Sequence, residues 1–480
     1  MKADEPDTDI LETLRKLVKR VEILEIDNRQ LKKENEQLRQ ENTRLKKRIE
    51  ELERKNKRYV APHSRELAKE DPKPSGRRAG EGTFSYKQSP KDEDISAVIA
   101  VDFPNICPKC QTLLLLESYK MDKAFITELP KIKPQITQYN VPVVSCPNCG
   151  KEVRGEHPDL CLNQQGATRH QLGPRLHAGI QYAQHDLNLS GRKAQDALEN
   201  LLGIEVTQGA ISQAKLRSTA LGTPLRSAYE DIRTEIQQSE VVHQDDTGWR
   251  INGTQAWLQV ASTSRSVFFQ VRTHHTAKEL LEMLGNNFQG VLVTDRFRTY
   301  DASSFKAIKQ QKCLYHIVRN AEEAEVLQEG KAGQGKQYAA RVAEVCRDAL
   351  ELHREFRAEE ISLKSYLQIG RHLSNRMDAL LTRTPLVSKD NERLRTGLLK
   401  QQERGHLLRF LENPAIPPTN NAAERDLRSG VIGRKVSQCS KTQEGADGYA
   451  ILKSVIETAK RRGQDPLEQL TVLQIRAKSG

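Results

Sequence analysis

The chain has 480 residues, and its formal net charge of +12 reflects 76 Lys and Arg against 64 Asp and Glu. The length suggests about three domains, and the basic balance favours a polyanionic partner such as DNA, RNA or an acidic membrane. An acidic start and the lack of any apolar stretch of ~20 residues argue against a signal peptide and a membrane span, so we expect a cytoplasmic protein.

Residues 8–58 carry a seven-residue repeat that predicts a leucine-zipper coiled coil. Leucine fills every d position after the first, and asparagine fills three successive a positions. Paired Asn amides satisfy each other in a parallel two-stranded coil, so the pattern favours a homodimer. A single solvated helix is the alternative. The d positions are Ile10, Leu17, Leu24, Leu31, Leu38, Leu45 and Leu52, and the a positions are Leu14, Val21, Asn28, Asn35, Asn42 and Ile49.

Residues 59–95 are predicted to be a basic linker. Pro, Gly and Ser interrupt the helical pattern here, and Lys and Arg outnumber the acidic residues in its first part. Such a segment can neutralise phosphates without reading a base sequence. A soluble, disordered tether with no binding role fits equally well.

Residues 96–162 contain two CxxC pairs that predict a small zinc-binding module. Cys107 and Cys110 form the first pair, and Cys146 and Cys149 form the second. Disulfides are not expected in a reducing compartment. Four thiolates at this spacing are what a closed, tetrahedral structural Zn²⁺ site needs, so we expect the ion to hold a small fold that contacts DNA.

Residues 163–237 are predicted to be helical. Within them, residues 190–202 and 208–217 have amphipathic helix patterns on either side of a short turn. The second helix of such a pair could enter a major groove, as in a helix-turn-helix. A plain helical hairpin that packs on the next domain is the alternative.

Residues 238–440 have the element order of a ribonuclease-H-like catalytic domain. Three short strands, a helix and a buried strand follow one another, and the first and fourth strands end in Asp245 and Asp295. The first and fourth strands of that fold lie side by side, so we expect the two carboxylates to meet. A third carboxylate, Glu424, lies in the first turns of a helix that Pro, Thr and Asn introduce.

Three converging carboxylates have a clear chemical use. They can hold two Mg²⁺ ions, or Mn²⁺, about 4 Å apart for an in-line phosphoryl transfer. Taken singly, each acid would more often be a surface charge or a helix cap. Their joint arrangement therefore carries the prediction of a catalytic metal site at Asp245, Asp295 and Glu424.

The stretch between Asp295 and Glu424 is longer than the fold needs and is mostly helical in pattern. We therefore expect a helical insertion at about 318–412, and a C-terminal helical segment at 441–480. Cys313 and His316 lie just before the insertion. They would supply only two of the four ligands that a metal site needs, so a role in packing or in positioning DNA is favoured over metal binding. Candidate phosphate contacts beside Glu424 are Arg425, Arg428, Arg434 and Lys435, although Arg428 could instead pair with Glu424.

Several motifs together resemble transposases of the insertion sequence 66 family. They are HisGlnAspAspThr at 243–247, ThrAspArgPheArgThrTyr at 294–300, CysLeuTyrHis at 313–316, AsnAsnAlaAlaGluArg at 420–425 and GlyArgLys at 433–435. The two CxxC pairs and the coiled coil are similar to that family's zinc-binding and dimerising segments. The resemblance implies a multidomain α+β transposase of the Asp-Asp-Glu type with its acids at Asp245, Asp295 and Glu424.

Relatives carry Asp-Glu-Thr where this chain has Asp245-Asp246-Thr247, so the role of Asp246 is left open, and Asp245 takes the family's Asp position.

The resemblance also implies the partners and the cellular location. We expect a cytoplasmic, nucleoid-associated enzyme that binds element ends and target DNA as a homodimer, with accessory proteins from the element as further partners. A DNA-binding regulator with an inactive nuclease-like domain, or a nuclease that does not join ends, are the alternative functions.

Overall fold

The computed structural model describes residues 20–21, 24, 30–43, 45, 88–102, 104–114, 121–157, 159–160, 170–326, 335–382, 386, 388–437 and 439–479. The chain divides into two compact units, residues 1–127 and 128–480. Within the described ranges, no helix is long and apolar enough to cross a membrane.

The first unit contains a helical segment at residues 30–43. Leu31 and Leu38 of the heptad repeat are exposed there, as expected for the apolar positions of one coiled-coil strand taken alone. Pairing of two helices stays a prediction. The heptad positions Ile10, Leu14, Leu17, Asn28, Ile49 and Leu52, together with the predicted linker up to residue 87, lie outside the described residues.

The second unit begins with a small antiparallel hairpin. Its strands are β1 (Val143–Ser145) and β2 (Glu152–Arg154), with Val144 opposite Val153. The boundary between the two units falls inside the module predicted at 96–162.

In the described part of the second unit, four helices precede the main sheet. The second and third have the helix-turn-helix-like spacing that the sequence predicts, and Ser190 and Thr207 cap their N-termini by accepting backbone N–H groups. Gly203 ends the second helix at φ +64°, a left-handed conformation that glycine adopts without strain. The four helices are α1 (Pro174–His185), α2 (Gly191–Leu202), α3 (Gln208–Ser218) and α4 (Pro224–Gln237).

A five-stranded mixed sheet lies at the centre of the second unit, in the order β5-β4-β3-β6-β7. The first three strands form an antiparallel meander, and β6 and β7 continue the sheet in parallel with β3. The predicted adjacency of the first and fourth strands is therefore confirmed. The strands are β3 (Val241–Ile251), β4 (Thr254–Ser262), β5 (Val267–Arg272), β6 (Val291–Thr294) and β7 (Lys309–Lys312).

Helices cover both faces and one edge of this sheet. The helix α5 (Ala277–Leu284) connects β5 to β6, and Thr276 and Glu279 cap its start reciprocally. At the open edge, the backbone N–H groups of Val267 and Phe269 donate to the hydroxyls of Thr458 and Ser454. The edge strand β5 is thus covered by a helix, which removes a site for unwanted strand pairing.

The long stretch after β7 is helical, as predicted. Its apolar residues form one core cluster that also contacts β6 through Val293. The helices are α6 (Leu314–Val326), α7 (Gly335–Arg357), α8 (Leu363–Leu381) and α9 (Lys389–Glu403). The last three helices are α10 (Asn421–Ser437), α11 (Gln443–Arg461) and α12 (Pro466–Ser479).

Candidate active site at the strand ends

Asp245 and Asp295 lie just beyond the segment in which β3 and β6 pair in parallel. Asp295 directly follows β6, but the prediction that the first strand ends at Asp245 is wrong, because β3 keeps pairing with β4 and continues to Ile251. The last register pair between these strands is His243 with Val293. Asp245 and Asp295 each follow two residues later. Because side chains alternate along a strand and paired residues share a face, both carboxylates project on the same side of the sheet. This is the side on which Val293 contacts the helices that follow β7.

The electrostatics of Asp245 indicate a cluster of negative charge. Burial is the main cause that raises its pKa to about 8; the nearby charges of Asp295, Asp246 and Glu424 add to the rise, and the backbone N–H of Asp246 opposes it. That N–H donates to Oδ1 of Asp245 at 2.8 Å. The carboxylate of Asp295 is held separately, because its Oδ1 accepts the N–H of Phe297 at 2.9 Å.

Asp246 occupies a different environment from Asp245. Strand alternation directs it to the face where the Gln244 amide donates to the Leu280 carbonyl of α5 at 2.9 Å. There the imidazole of His275 contacts the Asp246 carboxylate. The ring of His275 in turn stacks on Phe297, with ring centroids 4.5 Å apart. Asp246 is thus engaged by a histidine on the α5 side of the sheet.

Glu424 comes to the site on the first turn of α10, and Asn420 fastens that turn to β3. The buried Asn420 amide donates to the Gln244 carbonyl at 2.9 Å, and its oxygen lies 3.2 Å from Nδ1 of His243. The Asn420 carbonyl also accepts the N–H of Glu424 at 3.3 Å. Burial lowers the pKa of His243 to about 4, so the ring is neutral at pH 7 and can donate from Nδ1.

The rest of α10 packs tightly across β3 and β4. Ala423 and Leu427 join a core cluster with Trp249 and Leu258. A Cβ at Gly430 would overlap the Leu258 side chain, so glycine permits the close approach of the helix. These contacts fix the direction in which the helix leaves Asn420, and with it the position of Glu424.

The four basic residues predicted to contact phosphates differ in exposure. Arg425, Arg428 and Lys435 are exposed on the outer side of α10. Arg434 is half-buried, and its guanidinium donates to the Gly248 carbonyl and lies 3.4 Å from the Thr247 hydroxyl. Arg434 therefore joins α10 to β3 close to Asp245.

Cys313 and His316 lie beside Glu424. Cys313 follows β7 and its N–H donates to the carbonyl of Thr294, at 2.8 Å, directly before Asp295. His316 Nε2 is 3.8 Å from Oε1 of Glu424. One ligand atom from each of Cys313, His316 and Glu424 lies within 4.8 Å of the other two. The fold thus brings Glu424 next to Cys313 and His316 as a third candidate metal ligand.

A buried lysine lies behind Asp295, and sequence reasoning missed it. Lys312 ends β7, its Nζ donates to the Thr294 hydroxyl at 3.3 Å, and it sits 5.3 Å from the ring centre of Tyr300. Burial lowers the pKa of Lys312 to about 8. Asn420 and His243 were also missed as positioning residues. Both occur inside motifs that the sequence singled out, whereas nothing in the sequence marks Lys312.

The two CxxC pairs form similar turns, one in each unit. In the first, the N–H of Gln111 donates to the Cys107 carbonyl, and a hydrogen bond to Thr112 lowers the pKa of Cys110 to about 7. In the second, the N–H of Gly150 donates to the Cys146 carbonyl, and backbone N–H groups lower the pKa of the Cys146 thiol. Lowered thiol pKa values favour the thiolate form that metals bind. The four-cysteine zinc site stays a prediction.

Comparison with known proteins adds independent findings. A protein described as uncharacterized protein y4jD, from Sinorhizobium fredii (strain NBRC 101917 / NGR234), is 24% identical over 261 residues, which are 52% of this chain and 47% of that protein. The chain therefore spans about half the length of this relative. A family model described as Transposase IS66 family matches residues 169–448. Because that match covers more than half of the chain and contains all three acids, the chain belongs to the IS66 family of transposases.

Proposed function

We propose that this chain is a DNA transposase that cleaves the ends of its element and joins them to target DNA. The observation that supports the proposal is that β3, the end of β6 and the first turn of α10 each carry one of the three acids, and we infer that they form a ribonuclease-H-like catalytic domain. Asp245 and Asp295 lie just beyond the paired segment of the neighbouring strands β3 and β6, and Asn420 fastens the helix of Glu424 to β3. Family membership supports the same function.

The donor set fits Mg²⁺ or Mn²⁺. Carboxylate oxygens are the ligands that these hard ions prefer. The raised pKa of Asp245 reflects burial beside other negative charges, and a cation would allow all three acids to ionise together. When bound, two Mg²⁺ ions would supply activation of the attacking oxygen and stabilisation of the leaving oxygen. Asp245, Asp295 and Glu424 are the residues that would hold them.

Basic residues on α10 are suited to orient the DNA backbone. Arg425, Arg428 and Lys435 are exposed on the helix that also bears Glu424, so phosphates that they contact would lie near the acids. Arg434 is already bonded to β3, and we assign it to holding α10 in place. Mutating an exposed residue should weaken binding regardless of DNA sequence, whereas mutating Arg434 should also disturb the acids.

Other parts of the chain would supply recognition and assembly. The polar side chains of Gln208, Ser212, Gln213 and Arg217 are exposed on α3, the second helix of the helix-turn-helix-like pair, which suits entry into a major groove. The four-cysteine zinc module would add a further DNA contact. The N-terminal coiled coil would pair two chains, because transposition must hold two ends together.

The test is cleavage and joining of DNA that carries the element's own ends, in Mg²⁺. The parent chain should do both. Asp245→Asn, Asp295→Asn and Glu424→Gln should each lower both steps by at least about a hundredfold, because one site serves both. DNA binding should persist in these variants, since Lys and Arg supply most of it. Asp246→Asn is the matched control and should cost less than about tenfold, as its carboxylate faces His275.

Two other outcomes separate the alternative functions. A parent chain that binds the ends but never cuts them would favour a DNA-binding regulator. A parent chain that cuts and never joins would favour a nuclease. If Asp245→Asn is active and Asp246→Asn is inactive, the metal ligand on β3 is Asp246 and not Asp245.

A further inference from the structure

A thiol, an imidazole and a carboxylate meet where α6 and α10 begin. Cys313 directly precedes α6, His316 lies in its first turn, and Glu424 lies in the first turn of α10. One ligand atom from each lies within 4.8 Å of the other two. Ligand atoms around a tetrahedral Zn²⁺ with bonds of about 2.0–2.3 Å are roughly 3.3–3.8 Å apart. The 3.8 Å between His316 Nε2 and Glu424 Oε1 is already in that range.

The surroundings of Cys313 and His316 suit metal ligands. Burial raises the pKa of the Cys313 thiol, and the backbone N–H groups of Asn420, His316 and Tyr315 oppose that rise. The side chains of His316 and Glu424 are 39% and 40% exposed, so an ion could enter from solvent on that side.

We propose that Cys313, His316 and Glu424 form a binding site for a divalent ion of the Zn²⁺ class. Thiolate and imidazole are ligands that Zn²⁺ accepts, whereas Mg²⁺ is bound almost wholly by oxygen. Three protein ligands leave a fourth position for water. The ion at this site is therefore exchangeable, unlike one enclosed by four cysteines.

Zn²⁺ bound at this site would inhibit catalysis, and this part of the inference rests on the proposed function. Glu424 is also the carboxylate that the proposed Mg²⁺ site requires. A Zn²⁺ ion held by Cys313 and His316 draws Glu424 toward α6 and away from Asp245 and Asp295. Zn²⁺ thus competes with Mg²⁺ and acts as an inhibitor.

Binding is tested with Co²⁺, which replaces Zn²⁺ and gives a near-ultraviolet charge-transfer band when a thiolate binds it. The full-length protein, dialysed so that only tightly bound zinc remains, should gain this band when Co²⁺ is added. Cys313→Ser should abolish the gain, and His316→Gln, at a half-exposed position, should weaken Co²⁺ binding at least tenfold. Cys346→Ala is the matched control, because Cys346 is another buried cysteine of the helical region, and it should retain the band. No band in the parent, or an equal band in Cys313→Ser, would overturn the proposal.

The inhibitory consequence is tested by the Zn²⁺ concentration that halves Mg²⁺-dependent cleavage. This concentration should rise at least tenfold in His316→Gln relative to the parent. An unchanged concentration would overturn the inhibitory role. A parent that never cleaves DNA would overturn the proposed function, and the Co²⁺ band would still decide whether the site exists.

Discussion

Asn420 offers a sharp test of how the site is held together. The side chain is fully buried and joins the start of α10 to β3 through the Gln244 carbonyl and the His243 ring. Asn420→Ala leaves both of those buried groups without a partner. A buried polar group without a hydrogen bond costs roughly 1–3 kcal/mol, so we expect the free energy of unfolding to fall by about 2–4 kcal/mol.

The assay is urea unfolding followed by tryptophan fluorescence. The chain has two tryptophans, Trp249 on β3 and Trp257 on β4, so the signal reports on this sheet. Asn421→Ala is the matched control, because Asn421 is the exposed neighbour at the same helix start, and it should change stability by less than about 0.5 kcal/mol. Equal effects of the two substitutions would refute the positioning role of Asn420.

Four further predictions follow from other parts of the chain. In Mg²⁺-free protein, the folded chain keeps a proton on Asp245 up to its pKa of about 8, whereas the unfolded chain releases it near the ordinary value of 3.8. The free energy of unfolding should therefore fall as pH rises between these two pKa values, and Asp245 contributes at most about 1.4 kcal/mol per pH unit to this fall. Urea unfolding of Asp245→Asn at several pH values should show a correspondingly smaller dependence on pH. At Gly290 a Cβ would overlap the carbonyl oxygen of Ser239, just before β3, so Gly290→Ala should lower the free energy of unfolding by about 1–3 kcal/mol. Gly179 lies in a helix with open space around it, so the control Gly179→Ala should raise the free energy of unfolding by up to about 1 kcal/mol. Elemental analysis should find tightly bound Zn²⁺ that Cys146→Ser releases, and retention of that ion would contradict the four-cysteine site. Deleting residues 1–58 should abolish self-association in sedimentation experiments, and an unchanged dimer would show that the coiled coil is not the main interface.

The order of the central strands could be predicted from the sequence, whereas the catalytic role of the three acids stays a prediction. The run that becomes β6 is apolar and stops directly before Asp295, as predicted. Strand β3 instead continues through Asp245 to Ile251, because it pairs with β4 along its whole polar second half, and this pairing leaves no local apolar pattern. Helices α2 and α3 were predictable because capping residues and an amphipathic pattern mark them. Glu424 was predictable because a helix start precedes it.

The remaining parts of the site depend on contacts between distant segments. Strand β7 reads LysGlnGlnLys and carries no hydrophobic pattern, yet it is largely buried because its amides bond across the fold. Gln311, for example, donates to the Leu407 carbonyl at 2.8 Å. The meeting of Cys313 and His316 with Glu424 likewise depends on how α6 and α10 dock. No local pattern could predict these partners.

Metal rescue tests most directly whether the acids hold the catalytic ions. Asp245→Cys replaces an oxygen ligand by sulfur, which binds Mn²⁺ better than it binds Mg²⁺. The variant should be inactive in Mg²⁺ and should recover cleavage of the element ends in Mn²⁺, while Asp246→Cys should remain active in both ions. Full activity of Asp245→Cys in Mg²⁺, or the same loss for both variants in both ions, would contradict a metal site built on Asp245.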